Sequence, residues 1–155
     1  MPTAKQELGL FGEKMVLKNC ICPGCKRPKT LKQLIQNFKC ADLICDFCGF
    51  LAQVKASNQK NIDRLPKTLP AAAWGPQRDR MQAAIYFPLF IVLVNKGKFT
   101  IHYLSADLQV PEMFIPRKPL SEKAKRAGWQ GFEYDLTKVS AGAIVKVFDS
   151  DKSAI

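Results

Sequence analysis

Ala41-Asp42-Leu43-Ile44-Cys45-Asp46-Phe47-Cys48-Gly49-Phe50-Leu51-Ala52-Gln53-Val54-Lys55 is the stretch on which the reading of this chain turns. Cys40 to Ile44 and Phe50 to Lys55 read as two short strands, with Cys45 to Gly49 as the turn between them. A turn centred between Phe47 and Cys48 sets Asp42 opposite Gln53. Gln53 and Lys55 are two residues apart and share one face of their strand. Asp42, Gln53 and Lys55 then converge. Two oxygen donors beside a lysine suit Mg²⁺, a hard cation that takes oxygen ligands and keeps several waters. Such an ion activates water and neutralises leaving-group charge in phosphodiester hydrolysis, and the lysine can orient the water or stabilise the phosphorane. On spacing alone, the same triple reads first as a solvated hairpin face.

The same hairpin carries Cys45 and Cys48, and Cys22-Pro23-Gly24-Cys25 lies upstream. Two C-x2-C units at this separation close a tetrahedral Zn²⁺ site. Four thiolates leave no open position on the metal, which makes the zinc structural. A thioredoxin-like redox pair needs one C-x-x-C and leaves the second unexplained. Cys20 and Cys40 fall outside the pattern and read as small buried thiols.

The chain has 155 residues, about one domain, and 47% are hydrophobic, enough for a core. Lys and Arg number 24 against 13 Asp and Glu, a formal charge of +11. That excess points to a polyanionic partner, first of all nucleic acid, over a merely soluble basic surface. The longest apolar run, Ala83 to Val94, contains Pro88 and falls short of the roughly twenty residues of a membrane span. The N-terminal residues have no apolar core of a secretory signal, so a cytoplasmic location with reduced thiols is expected.

Along the rest of the chain, Lys5 to Lys18 reads as a helix with Leu8, Phe11 and Met15 near a 3.6 period, and Gly12 as a mild cost within it. Leu31 to Phe38 reads as a short helix or an irregular connector. Asn58 to Pro76 reads as a long loop, with Trp74 able to pin its far end. Gln77 to Ile85 suits a short helix. Leu89 to Val94, the turn Asn95-Lys96-Gly97 and Lys98 to Leu104 make a hairpin. Asp107 to Pro119 reads as a Pro-rich connector, Ser121 to Arg126 as a short basic helix, and Gly142 to Phe148 as a last strand. The class is α+β, with a sheet flanked by helices. His102 on its strand reads as structural. No Ser-His-Asp arrangement and no G-x-x-x-x-G-K loop is present.

Three runs together resemble a known family. They are Cys22-Pro23-Gly24-Cys25, Ala41-Asp42-x-x-Cys45-x-x-Cys48, and Gln53-Val54-Lys55-Ala56. A second, longer stretch adds Arg117-Lys118-Pro119-Leu120, Ala124-Lys125-Arg126-Ala127-Gly128-Trp129-Gln130-Gly131 and Asp135-Leu136. The chain resembles the catalytic domain of the DpnI and Dam-replacing restriction endonucleases, within the PD-(D/E)xK nucleases. The resemblance covers roughly Cys22 to Val139. It implies a single restriction-endonuclease-like domain over residues 1–155, a mixed sheet flanked by helices, and a zinc-binding insertion at about residues 20–50. It implies a metal-dependent DNA endonuclease of type II restriction character, methyl-directed in its relatives. Asp42, Gln53 and the Val54 carbonyl would hold Mg²⁺, Lys55 would assist the attacking water, and Glu13 on the first helix matches a carboxylate that related folds place near the metal. Cys22, Cys25, Cys45 and Cys48 would hold Zn²⁺.

Two departures stand out. Gln53 occupies the family's Glu slot, and with the sequence reaching Ile155 the C-terminal winged helix of the methyl-directed enzymes is not expected. The alternative is therefore a catalytically inactive zinc-containing module that binds DNA. The expected partner is double-stranded DNA, met by Arg117, Lys118, Lys125 and Arg126 and by Lys60, Arg64 and Lys67 on the loop after the catalytic strand. Double-strand cutting by a chain of this size calls for a homodimer or two sequential nicks.

Overall fold

The computed structural model describes residues 3–35, 41–71, 74–118, 122–123 and 130–151. Its centre is strand β5, Leu89–Asn95, in which Leu89 to Leu93 are all buried. An unbroken apolar run of this kind suits a strand covered on both faces. Leu89, Ile91 and Leu93 point into one core cluster, and Phe90 and Val92 point into the other. Each such side chain removed from water contributes about 1.5–3 kcal/mol.

Around β5 the described residues form a six-stranded mixed sheet. The other strands are β1 (Leu31–Gln33), β2 (Leu43–Cys45), β3 (Leu51–Asn58), β6 (Lys98–Leu104) and β9 (Val145–Asp149), in the order β1-β2-β3-β5-β6-β9. Only the β3–β5 pair is parallel among these; the rest are antiparallel. A second, antiparallel sheet of β4 (Thr68–Ala71), β8 (Phe132–Asp135) and β7 (Phe114–Pro116) runs in the order β4-β8-β7. Its Leu69, Phe114, Phe132 and Tyr134 pack onto the Leu89 side of β5. Helix α1, Ala4–Asn19, covers the Phe90 side. It begins at a capping box in which Thr3 and Gln6 exchange side-chain and backbone bonds. The protein is thus α+β, with a mixed sheet between one helix and a small second sheet. The second helix among the described residues, α2, spans Trp74–Gln82.

Several sequence expectations are corrected. Leu31–Gln33 is a strand, not a helix or connector, because Leu31 belongs to the core and its neighbour Thr30 accepts a hydrogen bond from Asp46 N–H at 2.8 Å. The expected loop 58–76 contains β4, and the expected connector 107–119 contains β7. Pro70 and Pro116 disguised both. Each lies in an outer strand of the three-stranded sheet, where a missing N–H is tolerated. Helix α2 begins earlier than expected, at Trp74, which packs against Phe132 at 5.8 Å. Gly12 is more than a mild cost: a Cβ there would lie 2.8 Å from the Ala56 Cβ, so its absence lets α1 approach β3. The 95–98 hairpin turn has both central residues, Lys96 and Gly97, at positive φ, as a two-residue turn requires. The expected helix 121–126 lies mostly outside the described residues, though Glu122 and Lys123 are helical.

Candidate metal centre and catalytic strand

The two C-x2-C units close on each other. The Sγ atoms of Cys22, Cys25, Cys45 and Cys48 all lie within 4.8 Å of one another. Cys22 and Cys48 are 3.6 Å apart and Cys25 and Cys45 are 3.8 Å apart. Tetrahedral zinc with Zn–S bonds of about 2.3 Å needs sulfur pairs about 3.8 Å apart, so the cluster fits that ion. Both units use the same local geometry. The residue after the second cysteine, Lys26 in one and Gly49 in the other, takes the left-handed conformation. Lys26 N–H then donates to the Cys22 carbonyl at 2.8 Å and Gly49 N–H to the Cys45 carbonyl at 2.9 Å. Cys48 N–H donates to the Cys45 sulfur at 3.4 Å, and the Thr30 hydroxyl lies 3.2 Å from it. Burial opposes the Cys45 thiolate, but Thr30 and the neighbouring N–H groups outweigh it and lower the pKa to about 6. Such contacts orient a metal-bound thiolate. Cys20 is half-buried outside the cluster, and Cys40 lies outside the described residues.

Strand β2 joins this cluster to the catalytic candidates, with Cys45 at one end and Asp42 just before the other. The pairing of Leu43 with Ala52 carries the register to Asp42 and Gln53, as the turn geometry predicts. Asp42 is held from three sides. Its carbonyl accepts from Leu34 N–H at 3.0 Å, its own N–H donates to the Ala52 carbonyl at 2.9 Å, and its Oδ2 accepts from Val54 N–H at 2.7 Å. The carboxylate therefore takes the place of a backbone carbonyl where β2 leaves β3. A strand residue directs its N–H and C=O to the same edge, so the Val54 carbonyl shares this edge with Asp42. Gln53 and Lys55 pair with Leu89 and Ile91 and face the second sheet with them. Gln53 N–H is fixed by the Pro88 carbonyl at 2.8 Å.

The charges are coupled. Burial raises the Asp42 pKa, against the Val54 hydrogen bond and the Lys55 charge. Burial lowers that of Lys55, with Asp42 opposing and Lys5 adding to it. Glu13 is raised to about 7 by burial and by the Asp42 charge, while a side-chain hydrogen bond with Gln33 acts the other way. Asp42 is thus coupled both to Lys55 and to Glu13. Two contacts escape the sequence reading. Gln33 lies on the strand expected as a helix or connector. Tyr134, which bonds Gln53 from 81 positions away, lies on β8. The alternation Phe132-Glu133-Tyr134-Asp135 was the available signal for that strand.

Among the described residues, the basic candidates lie at separate places on the surface. Lys60, Arg64, Lys67, Arg117 and Lys118 are all exposed. The Lys67 carbonyl accepts from Leu136 N–H at one end of β8, and Arg117 N–H donates to the Gly131 carbonyl at the other, 2.8 and 2.9 Å respectively. Those ends are about 15 Å apart at a strand rise of about 3.3 Å. The Lys60 carbonyl is bonded by Asn95 Nδ2 at 3.1 Å, at the end of β3 away from Gln53. Arg117 also lies 3.9 Å from Glu133. Lys125, Arg126 and Trp129 lie outside the described residues. His102 is buried, with Nε2 3.2 Å from the Thr100 hydroxyl, in keeping with a structural role. Among the described residues no helix is long and apolar enough to cross a membrane.

A cysteine cluster at one end of a three-residue strand and an acid, an amide and a lysine at the other match the motif order by which the sequence resembles a nuclease family. Comparison with protein families agrees: the model of DpnI, the Dam-replacing family, matches residues 2–154, and the chain belongs to that family.

Proposed function

We propose that this protein is a divalent-metal-dependent DNA endonuclease of restriction type, with a single restriction-endonuclease-like PD-(D/E)xK domain. Family membership supports nuclease activity on DNA. The observation that carries the catalytic assignment is the Asp42 carboxylate, bonded at 2.7 Å to Val54 N–H beside Gln53 and Lys55. Asp42, the Gln53 amide oxygen and the Val54 carbonyl would hold Mg²⁺, with Glu13 as a further carboxylate. When bound, the ion supplies Lewis acidity and a water of lowered pKa. Lys55 sits on the Gln53 face of β3, with a proton that burial makes easier to give up. It would orient the attacking water or offset charge on the phosphorane. Cys22, Cys25, Cys45 and Cys48 would hold Zn²⁺ and fix the hairpin that presents Asp42. Reduced thiols accord with a cytoplasmic location. The substrate is double-stranded DNA, cut by a homodimer or in two nicks, with methyl direction inherited from the family as the working specificity.

The test is incubation with methylated and unmethylated plasmid in Mg²⁺, in Mn²⁺ and without divalent ion. Discrete fragments that need the ion are expected, and the methylated plasmid should be preferred. Intact plasmid under every condition, with DNA still bound, would turn the assignment to the inactive DNA-binding module.

A further inference from the structure

The Tyr134 hydroxyl donates a hydrogen bond to Gln53 Oε1 at 3.2 Å. Tyr134 is 2% exposed. Its position is fixed by pairing with Leu69 on one side and Phe114 on the other, and by ring contacts with Phe132 at 5.1 Å and Phe114 at 5.4 Å. The surrounding cluster is apolar. Among the described residues Gln53 is the one side-chain partner of this hydroxyl, and none of their buried side-chain oxygens or nitrogens is unsatisfied. A hydroxyl can also accept, here from the amide nitrogen of a flipped Gln53. That would strand its own proton in apolar surroundings, so donation to the oxygen is the stable arrangement.

We propose that Tyr134 is a positioning residue that selects the amide flip of Gln53, so that oxygen rather than the amide nitrogen is presented to a cation that Asp42 and Gln53 would hold. The need for one follows from symmetry. A carboxylate presents oxygen whichever way its last torsion turns. An amide presents oxygen in one orientation and an N–H group, which repels a cation, in the other. A chain with Gln in the acidic slot therefore needs a fixed donor that one with Glu there does not. The oxygen has a second lone pair for the metal while it accepts from Tyr134. This rests on the reading of Gln53 as a metal ligand.

The test is a double-mutant cycle. Mn²⁺ binding, followed by electron paramagnetic resonance, and the Mn²⁺ midpoint for plasmid cleavage are measured for wild type, Tyr134→Phe, Gln53→Glu and the double variant. Tyr134→Phe should weaken Mn²⁺ about tenfold in the wild-type background and less than twofold in the Gln53→Glu background, with zinc content unchanged. Equal losses in both backgrounds, or none in the first, would overturn the proposal. Phe114→Leu, which disturbs the same ring without touching a polar atom, controls for packing: a loss equal to that of Tyr134→Phe would also overturn it. Wild type that neither binds Mn²⁺ nor cleaves would instead remove the metal-site reading itself, and the inference with it.

Discussion

At Glu13, burial and the neighbouring Asp42 lift the carboxyl from 4.5 to about 7, against the bond with Gln33. The folded chain thus keeps a proton that the unfolded chain loses near 4.5. The stabilisation from this group is full below that pH and is lost as pH rises through about 7. Asp42, also raised, adds in the same direction. Urea denaturation without added Mg²⁺ should show wild type losing stability relative to Glu13→Gln between pH 4.5 and 7; parallel curves would refute this. Cation binding must expel that proton, so Mn²⁺ affinity should rise with pH across the same window. Gln53→Glu would place another carboxylate opposite Asp42. It should tighten Mn²⁺ severalfold and lower metal-free stability at pH 8, both measurable on one purified protein. At this scale the sequence was informative where partners are close in the chain. Asp42 against Gln53 followed from counting around one turn. Gln33 and Tyr134 did not, because their contacts depend on strands of only three and four residues, too short to announce themselves.

Among the elements, α1 and the cysteine hairpin are packed against β3 and decide where it lies. Gly12→Ala removes a helix-propensity cost of about 1 kcal/mol. It also drives a Cβ to 2.8 Å from Ala56, backed by β3. Overpacking of this kind costs about 1–3 kcal/mol, so the variant should be less stable in urea despite its better helix former. A gain in stability would mean that α1 does not pack as described. The cysteine cluster predicts a second outcome. Chelation of zinc should lower the melting temperature and abolish cleavage together, and added Zn²⁺ should restore both. A zinc-free protein that stays folded and active would separate the two sites. The spacing of the cysteines and the length of the turn made this element legible. Propensity alone speaks for Gly12 in the sequence, and a close approach of two elements has no local signature.

For the molecule as a whole, the formal charge is +11, and among the described residues Lys67 and Arg117 sit at opposite ends of β8. Binding to DNA should weaken steeply with salt. Arg117→Ala should reduce the log–log salt slope by about 1 without altering site preference, as expected of a phosphate contact. An unchanged slope in a competition titration would remove Arg117 from the interface. The α+β class and the central hairpin could be read from apolar runs and turns. The three-stranded sheet could not, since its strands are only three or four residues long and two carry proline. Under the proposed function, Asp42 together with Gln53 and Lys55 of β3 cuts DNA. The most direct test of this is plasmid cleavage and DNA binding by wild type beside Lys55→Ala, in Mg²⁺. Lys55→Ala should lose cleavage by at least about a hundredfold, the scale of a proton-handling or charge-stabilising group, with binding within a fewfold. Cleavage that survives in Lys55→Ala at the wild-type rate would contradict that function.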